Sequence, residues 1–255
     1  MADSRPIGVF DSGVGGIGTL AEMMRQLPRE RFLFYGDTAN APYGTKSRED
    51  CMACIERVMN HLLAQDVKAI VIACNTATAV AAAELRARYD LPIIGIEPAL
   101  KPAHEMRHGG SILVLATPMT LQLEKFRDLY ARYGEGAIPL PCPGLMELVE
   151  REAHEEARAY LAQLFAPYDM NQVDAIVLGC THYVFLRPIL ADMLPPRVKV
   201  LDGNEGTARQ LKRVLEERGL ISDGQGGAVL ETSGDAETVL PVMQRLLGKF
   251  GIRNS

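Results

Sequence analysis

Two cysteines in this chain lie in closely related sequence surroundings. Cys74 ends the segment VKAIVIAC at 67–74, and Cys180 ends the segment VDAIVLGC at 173–180, with five of the eight positions identical. Each cysteine is followed within two residues by a side chain that can form hydrogen bonds. A thiolate can remove a proton from carbon, and a thiol can return one. Two such groups on opposite faces of a substrate could therefore invert a stereocentre, and their likeness would let the reaction run both ways.

The residues around the two thiols suggest how protons could be relayed. The segment after Cys74 predicts the start of a helix, whose positive end favours the thiolate. Asn75 and Thr76 could cap this helix or donate hydrogen bonds to a ligand. Asp11 and His182 are the candidates for exchanging protons with the two sulfur atoms.

A glycine-rich loop follows the first apolar run and allows a different interpretation. Gly13, Gly15 and Gly18 have the Gly-x-Gly-x-x-Gly spacing, and Asp37 ends the second run, near where a ribose-binding acid would lie. A dinucleotide-dependent oxidoreductase is therefore an alternative. Asp11 weakens it, because a charge before the first glycine would repel a pyrophosphate. The same loop could instead bring backbone N–H groups to the carboxylate of a small ligand.

The elements that must position these residues are short apolar runs that alternate with amphipathic segments. The runs are continuous rather than alternating, which is typical of parallel strands that are buried on both faces between helices. The predicted strands cover residues 7–10, 31–35, 68–73, 92–96, 111–116, 137–140, 174–179 and 197–201. Predicted helices at 205–219 and 236–249 flank a further short run at 228–232.

One spacing relates the two halves of the chain. The cysteines are 106 residues apart, the run at 7–10 matches that at 112–115 with an offset of 105, and Ile93 matches Val198 with the same offset. A spacing that is kept along the chain indicates a duplicated α/β unit.

We therefore predict an α/β fold of two pseudosymmetric three-layer domains with mainly parallel sheets. The first domain would span 1–97 and be completed by 205–255, and the second would span 98–204. Ligands bind at the carboxyl ends of parallel strands, where both cysteines lie. We expect the active site at the interface between the domains.

The bulk composition excludes several classes of protein. Of 255 residues, 47% are hydrophobic and 23% charged, and the net charge of −5 comes with no basic block, which argues against nucleic acid as the ligand. The amino terminus lacks the apolar region of a secretory signal, and no apolar stretch is long enough to span a membrane. We expect a cytoplasmic protein that binds no membrane and keeps its five cysteines reduced. Cys51 and Cys54 form a C-x-x-C with no partner pair, so no metal site is predicted.

The motifs around the two cysteines resemble those of glutamate racemases, and the resemblance extends over essentially the whole chain. The motifs are GVFDSGVGG at 8–16, YGD at 35–37, PYGTK at 42–46, ACNTA at 73–77, EP at 97–98 and GCTHY at 179–183. Aspartate racemases look similar at the first cysteine but typically carry glutamate two residues after the second. His182 therefore favours glutamate as the substrate, with aspartate or another amino acid as the alternative.

The resemblance implies which residues take part in proton transfer and which bind the substrate. Cys74 and Cys180 would be the acid/base pair, with Asp11 assisting the first and His182 the second, together with an acid from the segment at 142–150. Within that segment Glu150 matches the family position by its Leu-Val-Glu ending, but Glu147 remains open. The residues implied to hold the substrate are Asp11, Ser12, Tyr43, Gly44, Asn75, Thr76, Thr181 and His182.

The resemblance also implies an activity. Members of the family need neither pyridoxal phosphate nor metal, and they provide D-glutamate for bacterial peptidoglycan. The expected partner is a small-molecule substrate, and a homodimer is the expected assembly. A catalytically silent binding protein of the same fold is a further alternative, because it would bind glutamate and leave its optical rotation unchanged.

Overall fold

The computed structural model describes residues 3–252. The strands are β1 (Ile7–Asp11), β2 (Arg31–Gly36), β3 (Ala69–Ile72), β4 (Ile93–Gly95), β5 (Ser111–Ala116), β6 (Ala137–Pro141), β7 (Val173–Gly179), β8 (Lys199–Asp202) and β9 (Gly227–Thr232). The α-helices are α1 (Ile17–Gln26), α2 (Arg48–Leu63), α3 (Asn75–Arg88), α4 (Leu100–Glu105), α5 (Pro118–Gln122), α6 (Glu124–Tyr133), α7 (Leu145–Glu150), α8 (His154–Phe165), α9 (Arg187–Met193), α10 (Asn204–Glu217) and α11 (Ala236–Lys249). Single turns of 3-10 helix cover Thr38–Asn40, Tyr43–Thr45 and Met170–Gln172, and a longer one covers Thr181–Leu186.

The chain divides into two compact units. The first contains the residues up to Glu97 and those from Asn204 onward, and the second is Pro98–Gly203. None of the helices within residues 3–252 is long and apolar enough to cross a membrane.

The first unit is built on a parallel sheet of five strands in the order β4-β3-β1-β2-β9. Every residue of the neighbouring strands β1 and β3 is buried, as expected for strands covered on both faces. Strand β9 pairs with β2 along its full length, from Arg31 opposite Gly227 to Gly36 opposite Thr232. The carboxyl-terminal segment therefore adds the edge strand of this sheet.

The second unit is built on a parallel sheet of four strands in the order β6-β5-β7-β8. Matching β1 with β5, β2 with β6, β3 with β7 and β4 with β8 gives the same strand order in both sheets. The α/β class with parallel sheets is confirmed. The repeated strand order agrees with the duplication inferred from the 105-residue spacing.

Prolines lie at two element boundaries of the second unit. The last predicted run of the second unit, 197–201, begins later, at Lys199, because a turn from Val198 N–H to the Pro195 carbonyl occupies the preceding residues. After β7 the chain forms 3-10 helix, and an α-helix follows it. Proline favours the first turn of a helix, and Pro188 lies in the first turn of α9, which begins only at Arg187.

A buried ion pair lies at the amino-terminal side of the first sheet. Lys68 Nζ lies 2.6 Å from Glu30 Oε2, with both side chains almost fully buried. The ammonium also donates to the carbonyl oxygens of Asp3 at 2.6 Å and Leu220 at 2.7 Å, and Glu30 Oε1 accepts from the Ser222 N–H at 2.8 Å. This network ties the segment before β9 to the start of β3, at the end of that strand opposite Cys74.

Candidate active site

Cys74 lies in the first unit, where β3 ends and α3 begins. It is the N-cap residue of α3, and its Sγ accepts a hydrogen bond from the Ala77 N–H at 3.4 Å. The side chain is almost fully buried. Ser12 Oγ lies 3.5 Å from the same sulfur atom. The thiol itself caps the helix, whereas the sequence suggested Asn75 or Thr76 as the capping residue.

Asp11 ends β1 and is fully buried. Its Oδ1 accepts from the Gly13 N–H at 3.1 Å and its Oδ2 from the Gly16 N–H at 3.0 Å. A Cβ atom at Gly16 would lie 2.7 Å from Asp11 Cβ, so only glycine allows the loop to fold back this closely. The loop therefore directs two of its N–H groups to its own aspartate.

This use of the glycine loop argues against a dinucleotide site. The N–H groups that would hold a pyrophosphate in such a loop are bound to Asp11 instead. Asp37, the residue considered for ribose binding, accepts from the Tyr43 hydroxyl at 2.6 Å and from Asn40 Nδ2 at 2.9 Å. Its carboxylate is thus engaged within the protein.

Ser12 connects Asp11 to Cys74. The Ser12 hydroxyl donates to Asp11 Oδ1 at 3.4 Å, which leaves its oxygen free to accept from the thiol. The three groups form a path along which a proton can pass from sulfur to carboxylate. The sequence indicated Asp11 as the partner of Cys74 but gave no sign that Ser12 stands between them.

The pKa of Cys74 lies well above the ordinary value of a thiol. Burial is the main cause, and the nearby negative charge of Asp11 raises the pKa further. The hydrogen bond with Ser12 and the one from the Ala77 N–H oppose this effect but do not outweigh it. The helix start is expected to favour the thiolate, and burial of the sulfur acts in the opposite direction.

The other predicted binding residues of the first unit lie in two segments. Asn75 and Thr76 are buried in the first turn of α3, and Asn75 Oδ1 has no hydrogen-bond partner within residues 3–252. Tyr43 is buried, and Gly44 half-buried, in a turn of 3-10 helix. Burial raises the pKa of Tyr43, so its hydroxyl keeps the proton that it donates to Asp37.

Cys180 lies in the second unit, where β7 ends and the 3-10 helix begins. It is buried, and its Sγ is 3.9 Å from His182 Nδ1. His182 Nε2 lies 2.9 Å from Glu150 Oε1. Because a carboxylate can only accept, Nε2 carries the proton of this bond, and in the neutral imidazole Nδ1 is then the acceptor that faces the thiol. Thr181 is buried between the cysteine and the histidine.

The carboxylate that contacts His182 is that of Glu150, the last residue of α7. The side chain of Glu150 is about one third exposed, whereas that of His182 is 2% exposed. Burial alone would raise the pKa of Glu150, but the hydrogen bond from His182 Nε2, and the attraction of the imidazolium once Nδ1 has taken up a proton, hold the pKa below the ordinary value. Of the two acids left open by the sequence, the geometry favours Glu150 over Glu147.

In each sheet a hydroxyl residue follows the strand that pairs with the strand leading to the cysteine. In the first sheet Phe10 is opposite Ile72, so Ser12 is opposite Cys74. In the second sheet Ala116 is opposite Gly179, which brings Thr117 opposite Cys180. Thr117 Oγ1 lies 2.9 Å from Thr120 Oγ1 and accepts from the Thr120 N–H at 3.2 Å. Sequence reasoning missed these threonines, although the offset of 105 that relates the first strands maps residue 12 onto residue 117.

The remaining three cysteines are buried. Cys51 and Cys54 lie on α2, where Cys54 Sγ accepts from Arg57 Nη2 at 3.2 Å. Cys142 Sγ donates to the Leu140 carbonyl at 3.3 Å. Within the described part of the chain, no group of three or more His, Cys, Asp or Glu side chains has an arrangement that could hold a metal ion.

Comparison with known proteins gives one consistent result. Residues 12–211 match the family model described as Asp/Glu/Hydantoin racemase. The glutamate racemase of Bifidobacterium adolescentis is 45% identical, over 98% of this chain and 100% of its own length, and that of Clostridium botulinum strain Hall is 47% identical over 87% and 88%.

Solved structures agree with these sequence relatives. The glutamate racemase of Bacillus anthracis has a TM-score of 0.86 at 31% identity, covering 96% of this chain and 94% of its own. That of Thermus thermophilus, in complex with beta-chloro-D-alanine, has a TM-score of 0.83 at 35% identity, covering 100% and 96%. These matches confirm the resemblance inferred from the motifs. The chain belongs to the Asp/Glu/hydantoin racemase family.

Proposed function

We propose that this chain interconverts L- and D-glutamate by proton transfer between carbon and two cysteines, Cys74 and Cys180, without an organic cofactor or a metal ion. The observation that carries this proposal is the repeated arrangement at equivalent strand ends. Each sheet presents a buried thiol, and each thiol has a carboxylate within reach through one intervening side chain. The relatives aligned over most of the chain are named glutamate racemase, and this name is the basis for proposing glutamate as the substrate.

Each half of the site can perform either role in the reaction. One sulfur, as thiolate, takes the proton from Cα and leaves its electron pair on carbon. The other sulfur, as thiol, donates its proton to the opposite face of the same carbon and becomes the thiolate. The two cysteines then hold exchanged protonation states, which prepares them for the reverse direction.

The two thiols reach the thiolate state through different partners. At Cys180 the neutral His182 accepts the sulfur's proton on Nδ1, and Glu150 stabilises the imidazolium that results. At Cys74 the proton passes through Ser12 to Asp11. Burial holds the pKa of Cys74 high, so ionisation there depends on a nearby positive charge that arrives with the substrate.

The α-ammonium group of glutamate supplies such a charge. Asn75 Oδ1 is a buried acceptor in the same turn as Cys74, and an ammonium donor would satisfy it. An acceptor left unsatisfied costs about 1–3 kcal/mol, which binding would recover. Ser12, Tyr43, Gly44, Thr76 and Thr181 complete the proposed binding set.

The wider setting follows from the same assignment. The product D-glutamate would serve bacterial peptidoglycan synthesis, and we place the enzyme in the cytoplasm with a free amino acid as its partner. We also propose a homodimer. We assign 1–97 with 205–255 to one domain and 98–204 to the other, which differs from the two compact units only in the placement of Asn204.

The test follows the circular dichroism of L- and D-glutamate with no added cofactor. The wild type is expected to bring either enantiomer to the racemate and, in deuterium oxide, to incorporate deuterium at Cα. Cys74→Ser and Cys180→Ser should each lose most of this activity, whereas Cys51→Ser, a buried thiol on α2, should keep it. Racemisation at the wild-type rate in either active-site variant would overturn the two-thiol mechanism. Faster turnover of aspartate than of glutamate would overturn the choice of substrate.

A further inference from the structure

Tyr183 is a buried side chain next to the proposed proton relay. It follows His182 directly, is fully buried and lies outside the residues implied to act on the substrate. Its hydroxyl donates to the carbonyl oxygen of Cys142 at 3.2 Å. Burial raises the pKa of Tyr183 well above its ordinary value, so the hydroxyl keeps its proton and acts as a donor.

The acceptor of this bond lies in the turn that leads into α7. The Cys142 N–H donates to the Ala116 carbonyl at 2.9 Å, continuing the ladder between β6 and β5. Gly144, two residues later, has a φ of +79° and is the N-cap residue of α7. Glu150 is the last residue of this helix.

Helix α7 is therefore held at both ends by two consecutive residues. Tyr183 binds the turn before the helix, and His182 binds Glu150 at its end. A helix of six residues spans about 9 Å and is too short to be stable on its own. Its position depends on such anchors and on the burial of Leu145 and Met146 in its first turn.

We propose that Tyr183 is a positioning residue that fixes α7, so that Glu150 meets His182 and the imidazole presents Nδ1 to Cys180. This inference rests on the proposed function, because it assigns Tyr183 to the relay of one catalytic thiol. Without the hydroxyl the turn at Cys142 is released, the carboxylate of Glu150 moves relative to Nε2, and the tautomer and orientation of His182 are less strictly held.

The first test replaces Tyr183 with phenylalanine, which keeps the ring and removes only the hydroxyl. We expect kcat to fall about two- to tenfold in both directions, as one lost neutral hydrogen bond implies, with little change in KM. The Nε2 proton signal of His182 in the NMR spectrum should shift or broaden. Tyr130→Phe is the matched control, because the Tyr130 hydroxyl donates to the Ala137 carbonyl at 2.9 Å in the same unit. That variant should leave kcat and the His182 signal unchanged.

A second test separates positioning from general support of the fold. If Tyr183 acts through Glu150, Tyr183→Phe should reduce kcat little further in a Glu150→Gln background. If the double variant instead loses the product of the two single-variant fold-changes in kcat, Tyr183 does not act through Glu150 and the proposal is overturned. An unchanged kcat and an unchanged His182 signal in the single variant would also overturn it.

Gly144→Ala provides an independent perturbation of the same turn if Tyr183→Phe does not fold. An added Cβ at Gly144 meets no atom within 4 Å, so the change acts only through its left-handed backbone. It should reproduce the loss in kcat and the shift of the His182 signal. Gly109→Ala, equally open and with a φ of +96°, should not. A wild type that does not racemise glutamate refutes the proposed function, whereas the His182 signal still decides the role of Tyr183.

Discussion

Replacing Asp11 with asparagine separates two effects that its carboxylate has on Cys74. The negative charge raises the pKa of the thiol, yet the same group can receive the thiol's proton through Ser12. Asparagine keeps the shape of the side chain, carries no charge and accepts no proton near neutral pH. The variant should therefore have a Cys74 that ionises more readily in an enzyme that turns over more slowly.

The expected magnitudes follow from the contacts of the carboxylate. Its two oxygens accept from the N–H groups of Gly13 and Gly16, and an amide can accept only one of these bonds. Leaving the other buried N–H unsatisfied costs about 1–3 kcal/mol, which lowers the melting temperature by several degrees. Loss of a positioned proton acceptor lowers kcat by about 10²- to 10⁴-fold.

Three measurements on Asp11→Asn check this reasoning. Circular dichroism gives kcat, thermal unfolding gives the loss of stability, and the ultraviolet absorbance of thiolates gives the titration of Cys74 by difference from a Cys74→Ser background. Asp174→Asn is the control, since that carboxylate accepts from the His108 and Gly110 N–H groups in the second unit. If Asp11→Asn turns over as fast as this control, Asp11 does not serve the thiol. If the pKa of Cys74 does not fall, the electrostatic part of the reasoning is wrong.

Two further predictions concern a buried ion pair and pH. Lys68→Met leaves Glu30 buried without its cation. The free energy of unfolding, measured in urea, should fall by about 3–5 kcal/mol with kcat unchanged. A loss below about 1 kcal/mol would mean that the ion pair contributes no more than an exposed one. The pKa of Glu150 is lowered in the folded protein, so its ionised form stabilises the fold above the ordinary value of 4.5, and this contribution disappears as pH falls through the lowered pKa. The difference in unfolding free energy between the wild type and Glu150→Gln should therefore be constant near neutral pH and shrink below about pH 4.5; a difference that grows on acidification would contradict the sign.

The sequence predicts the fold well because its signals are long and repeated. Continuous apolar runs predict buried parallel strands, and the 105-residue spacing predicts two units of the same topology. Both properties depend on which residues are apolar and how far apart they lie. The cysteine spacing of 106 residues, one more than the strand spacing, places Cys74 and Cys180 at equivalent strand ends without any knowledge of side-chain geometry.

The details of the site depend on register and burial, which the sequence shows only indirectly. That Ser12 lies between Asp11 and Cys74 follows from the pairing of β1 with β3, and the role of Tyr183 follows from where β6 ends. The raised pKa of Cys74 depends on how completely water is excluded from the sulfur. This exclusion of water opposes the helix start, which favours the thiolate.

The path of the chain through the two units sets an order of events during synthesis. Strand β9, the edge of the first sheet, and Leu220, which binds Lys68, both come after the whole of the second unit. The second unit is one continuous segment, so the ribosome releases all of it before the first unit has its last strand. The sheet of the unit that contains Cys180 can thus be complete while the unit with Cys74 still exposes the edge of β2. This makes β2 the segment most in need of protection in a nascent chain.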